Sequence, residues 1–107
     1  MSLDVYLEEV QPTEIYQGNI THNLNKMAGM AGIYAVVWRP DENDIKEASD
    51  LIEPLTQAIA RLEADPEKYK ALNPPNGWGT YEDLLNFLKK YLQACKDNPM
   101  AVVRASR

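Results

Sequence analysis

The N-terminal run "SLDVYLE" most constrains the fold. Leu3, Val5 and Leu7 alternate with Asp4, Tyr6 and Glu8. An apolar period of two puts every second side chain on one face, which predicts a half-buried β-strand. Such a strand must find partners, because a lone hairpin is marginal in water. "QPT" breaks the pattern, since Pro12 cannot donate to a ladder. "EIYQGNI" then offers a second strand, with Gly18 and Asn19 permitting a turn or bulge. The C-terminal "MAVVRASR", with Val102 and Val103, predicts a third.

From Asn23 the period changes. Leu24, Met27, Ala28, Ala31, Tyr34, Ala35 and Trp38 recur at steps of three and four, as on an amphipathic helix. Thr21 is its N-cap candidate, with a hydroxyl able to accept a free N–H two or three residues on. Gly29 and Gly32 weaken the helix, and Gly32 can end it, leaving "IYAVVWRP" as a second element that stops at Arg39-Pro40. After the acidic connection "DENDIKEASD", Ala48, Leu51, Ile52, Leu55, Ile59 and Leu62 mark another helix. Pro54 is tolerable in its first turn under a Ser49 or Asp50 cap, and otherwise marks a kink. Asp65-Pro66 restarts a short helix. Thr80 and Asp83 have capping-box spacing ahead of a stripe of Tyr81, Leu84, Leu85, Leu88, Tyr91, Leu92 and Cys95.

Strand, strand, helices, strand is an α+β order. The expectation is a small antiparallel sheet of about three strands, an N-terminal hairpin plus the C-terminal strand. Three to four helices cover it, in one globular domain spanning residues 1–107.

Sixteen acids against eleven bases give a net charge of −5. The bases are scattered, with Lys89-Lys90 the one adjacent pair. Nucleic-acid binding draws on clustered cations, so no nucleic-acid partner is expected. The acidic N-terminus lacks the basic-then-apolar pattern of a signal peptide, and no apolar run approaches a membrane span. A cytoplasmic protein with no membrane contact is the default. A single cysteine excludes an internal disulfide and fits a reducing compartment.

The first site candidate is "NITHN", which holds the only histidine, His22. Asn19, Thr21 and Asn23 are good capping and turn residues. They equally surround a helix start, where free N–H groups and the positive dipole end could hold a phosphate or carboxylate beside the imidazole. The second is "NPPNGWG". Gly77 and Gly79 free the backbone on both sides of Trp78, which is either a core plug or a stacking platform. Asn73 and Asn76 then serve the turn or read a ligand edge. In "WRP", Trp38 belongs to the apolar face. Arg39 pairs with the acids at 41, 42 and 44 or clamps an anion. Cys95 lies in an apolar stripe and behaves as a small hydrophobe. No metal site is expected, because there is no second histidine and no acidic loop with calcium-binding spacing. No cofactor motif is present.

As a combination, "NITHN", "MA..AGIY", "WRP", "NPPNGWG.Y" and "YL.AC" resemble a group of small uncharacterised proteins of bacteria and their phages. The resemblance spans about Asn19 to Cys95. It transfers no catalytic residue. It implies that Asn19, Thr21, His22, Asn23, Arg39, Asn76 and Trp78 travel together, a set that capping alone explains poorly. The leading expectation is therefore a polar pocket for a small polar or anionic, nucleotide-like ligand, made by Thr21–Asn23 and the Trp78 loop. A second is a bacterial or phage accessory factor that inhibits or recruits a host protein through the acidic run Asp41–Asp50. A third is a small hydrolase with His22 as base, for which Glu14 and Arg39 are the conceivable helpers.

Overall fold

The computed structural model describes residues 2–8, 14–77 and 79–107, and of Glu14 the backbone alone. Strands β1 (Ser2–Glu8) and β2 (Glu14–Thr21) are followed by a 3-10 turn at His22–Leu24. Helices α1 (Asn25–Met30), α2 (Tyr34–Trp38), α3 (Ser49–Ala64), α4 (Pro66–Lys70) and α5 (Tyr81–Asp97) lead to β3 (Val102–Ser106). The fold is α+β, as the change of period predicts.

The sheet is antiparallel in the order β2-β1-β3. Leu3 pairs with Ile20, Val5 with Gly18 and Leu7 with Tyr16. Leu3, Val5 and Leu7 are fully buried against the helices, while Asp4, Tyr6 and Glu8 line the open face. On that face Arg104 lies 3.9 Å over the Tyr6 ring and pairs with Glu8 at 3.2 Å. The register of β1 and β2 shifts between Leu7 and Glu8. Gln11, Pro12 and Thr13, where the breaker falls, lie outside the described residues.

The stripe from Leu24 to Trp38 is one pattern on three short pieces. Gly32 takes φ +76°, a left-handed conformation that stops α1. Arg61 of α3 donates to the Ala31 carbonyl at 2.8 Å and holds that break against the body of the fold. Pro54 sits in the interior of α3, not in its first turn, and withdraws the N–H that would reach the Asp50 carbonyl. The start of α3 is secured from outside. Ala48 N–H and Ser49 N–H donate to the carbonyls of Ala101 and Pro99. The Asp50 carboxylate accepts the N–H groups of Lys46 and Glu47, both at 3.1 Å. α5 opens on the expected capping box between Thr80 and Asp83.

One core joins the inner face of the sheet to the helix stripes, and α3 packs along α5 inside it. Trp38 and Tyr91 are the largest side chains fully buried there. Among the described residues no helix is long and apolar enough to cross a membrane.

Candidate functional site

Trp38 ends α2 with its ring buried, and a buried indole N–H needs an acceptor. His22 supplies it: Trp38 Nε1–H donates to His22 Nδ1 at 2.9 Å. Tyr34 stacks on the same indole at 5.4 Å. This bond assigns the imidazole its tautomer. With Nδ1 as acceptor, the neutral ring carries its proton on Nε2. His22 is half-buried, so one nitrogen serves the core while the ring also lines the surface.

Thr21 extends from β2 and accepts the Asn23 N–H at 3.3 Å, the expected cap. The long helix expected behind this cap is instead a turn of three residues followed by six in α1. So few aligned peptides sum to a small dipole, and the helix start contributes little anion affinity by itself.

Loop residues 73–77 and 79 fold onto this segment. Asn73 Oδ1 accepts the Tyr81 N–H at 2.8 Å, and Gly77 N–H closes a turn onto the Pro74 carbonyl. Gly79 takes φ +106°, and a Cβ there would stand 2.8 Å from Thr21 Cγ2 and 3.0 Å from Leu24 Cγ. Only a glycine backbone approaches so closely. The two segments singled out in the sequence therefore touch, although they lie more than fifty residues apart. Trp78 itself falls outside the described residues.

Two hollows adjoin these segments. The first, of about 620 Å³, has one wall of His22, Asn23, Asn25 and Lys26. Its other wall is Ala71, Leu72, Asn73, Pro74 and Pro75. These described lining residues include a lysine, an imidazole and three amides, and no carboxylate. The second, of about 710 Å³, is a groove between β2 and α5, and contains Asn19, Thr21, Gly77 and Gly79.

The expected residue set is thus divided. His22 and Asn23 line the first hollow; Asn19 and Thr21 line the groove. The Asn19 amide is engaged on the open face of the sheet, donating to Ser2 Oγ at 2.9 Å and Asp4 Oδ1 at 2.7 Å. Asn76 is exposed in the loop and lines neither hollow. Arg39 also lines neither: its guanidinium pairs with Glu42 at 2.8 Å, the ion-pair alternative expected for it. Hydrogen bonds to Tyr34 and then Glu42 hold it more firmly protonated than usual. Lys26 and Asn25 lie outside the residues expected at the site, while Pro74 and Pro75 belong to the expected loop and form its wall. Lys26 stands four residues after His22, a spacing that places two side chains on one helical face and could have flagged it.

Cys95 is fully buried, and desolvation pushes its thiol up to about 12. A nucleophilic thiolate is far from reach at neutral pH. Among the described residues no three metal-ligating side chains come together.

No protein-family model, no curated protein and no solved structure matches the chain.

Proposed function

We propose that the protein binds a small polar or anionic, nucleotide-like ligand in the hollow between residues 22–26 and 71–75. The observation that carries this reading is the chemistry of the walls. In a protein of net charge −5, the described lining residues contain Lys26 and the His22 ring, and no acid. The Nε2–H of His22, the Lys26 ammonium and the amides of Asn23 and Asn25 are donors suited to phosphate or carboxylate oxygens. Leu72, Pro74 and Pro75 give a planar group an apolar wall.

The hydrolase reading has less support. With Nδ1 engaged by Trp38 and the ring proton on Nε2, neutral His22 offers a donor rather than a base. An acidic docking surface on Asp41–Asp50 also has less support, because Asp41 and Glu42 face Arg107, Glu42 also pairs with Arg39, and Asp50 caps backbone N–H groups.

The test is a calorimetric screen of mono- and dinucleotides and simple organic phosphates against wild type and Lys26→Ala. Binding by wild type, weakened in the variant with folding intact, is expected. The absence of binding by any of these ligands to wild type would sink the proposal.

A further inference from the structure

The two edges of the sheet are treated differently. The outer edge of β3 is met at its start by the chain itself: Glu47 bridges Val102, and Val103 N–H donates to the Lys46 carbonyl at 2.9 Å. β2 pairs only with β1 among the described residues. An antiparallel strand with one neighbour turns about half of its N–H and C=O groups outward. Soluble proteins normally protect such an edge with lysine, proline or an inward charge. From Ile15 to Thr21, "IYQGNIT", β2 has none of these. Ile15 at its start is exposed.

Beside this edge runs the groove of about 710 Å³, whose far wall is α5. Thr21 lies against Gly79, just before α5, and Tyr16 stacks on Tyr91 at 5.9 Å. β2 and α5 therefore run in opposite directions. Asp83 belongs to the Thr21 end of the groove, Lys90 to the Tyr16 end, and Asn86 lies between them.

We propose that the β2–α5 edge is the face through which two copies of this chain pair, β2 against β2, into one continuous six-stranded sheet. A two-fold axis perpendicular to the sheet, midway between the Gly18 residues of the two copies, pairs the strand with itself. Gly18 meets Gly18 of the second copy, Gln17 meets Asn19, Tyr16 meets Ile20, and Ile15 meets Thr21. Every pair is uncharged, as a dry edge-to-edge contact requires. The same axis places both α5 helices on one face of the sheet with opposite directions. Lys90 of each copy then stands at the end where the other presents Asp83, and Asn86 faces Asn86. The strand and the helix thus share one symmetry centre, which is what an isologous interface demands. This charge complementarity singles out a second copy over an unrelated extended peptide, the other usual occupant of a strand–helix groove. The β2–α5 groove and the ligand hollow share none of the described lining residues, so both can operate at once.

The test is sedimentation equilibrium of the full chain from about 1 to about 500 µM, a range spanning ordinary reversible dimers. A monomer–dimer equilibrium is expected. Lys90→Glu, which sets like charges against Asp83, and Gln17→Lys, a natural edge protector, should each weaken it by about tenfold or more. Both side chains are exposed, and unchanged circular dichroism checks their folding. Amide exchange gives a readout on wild type alone: amides of residues 15–21 should slow as concentration rises through the dimer range. A chain monomeric throughout, a dimer indifferent to both variants, or exchange of β2 independent of concentration would each overturn the proposal. A monomer that captures a synthetic Ile15–Thr21 peptide would assign the edge to a foreign strand instead, and overturn it too.

Discussion

Trp38 Nε1–H donates to His22 Nδ1 at 2.9 Å, and this bond joins the core to the candidate site. His22→Ala leaves a buried indole donor without its partner. A lost buried bond of this kind costs about 1–3 kcal/mol. The expected result is a lower urea midpoint with an unchanged slope. His22→Gln, whose amide oxygen can accept the same bond, should recover part of the loss. Nitrogen-15 spectra of the ring should show the proton on Nε2.

Gly79 and Gly29 should respond in opposite directions to alanine. At Gly79 the left-handed φ and the contacts with Thr21 and Leu24 both oppose a Cβ. Strain of that kind costs about 1–3 kcal/mol, so Gly79→Ala should destabilise by at least that much. It should also disturb ligand binding, because the loop wall can no longer seat. Gly29 is helical and exposed, with nothing within 4 Å of an added Cβ. Gly29→Ala should stabilise by up to about 1 kcal/mol. Thermal melts of the two variants decide both statements.

Asp50 accepts two backbone N–H groups, first that of Glu47 and then that of Lys46, which hold its carboxyl below its ordinary value. A depressed folded value means the stabilisation is present above the unfolded value, near about 3.9, and is lost as pH falls through the folded one. Asp50→Asn should therefore lower stability at neutral pH and flatten the acid limb of the stability curve. Denaturant titrations between about pH 2 and pH 7 measure this.

Cys95 opens the alkaline limb, at a lower pH than the buried phenol of Tyr91, which desolvation also raises. Burial raises its thiol to about 12. Stability should hold below the unfolded thiol value of about 8.5 and decline as pH rises from there towards the folded value, because only the unfolded chain ionises freely. Cys95→Ala should remove this slope while opening a small cavity. Thiol-reactive dye should label the wild-type protein only at the rate at which the core opens.

The elements were legible because each follows from a local rule. The period of two in β1, the capping box at Thr80 and the stripe of α5 all act within a few residues. The break at Gly32 was visible as an alternative, while the Arg61 contact that holds it is long-range and left no mark in the sequence. Nor did the Ala101 and Pro99 carbonyls that start α3 and free Pro54 from the first turn. In the site, the expectation that "NITHN" lies beside "NPPNGWG" rested on the resemblance and on the polar residues gathered on loops and caps, and the contact found is Thr21 and Leu24 against Gly79. The partition of the site's members was not legible. Whether Asn19 faces a ligand or Asp4, and whether Arg39 reaches inward or to Glu42, depends on which side of a strand or helix end each side chain takes. The role of the lone histidine as acceptor for Trp38 was hidden for the same reason, since the two lie on different elements.

The most direct test of the ligand proposal is a nitrogen–proton correlation spectrum recorded while nucleotides and organic phosphates are titrated in. Saturable shifts confined to residues 22–26 and 71–75 are expected, with their loss in Lys26→Ala. Absence of saturable shifts with every ligand, or saturable shifts centred elsewhere in the chain, would contradict it.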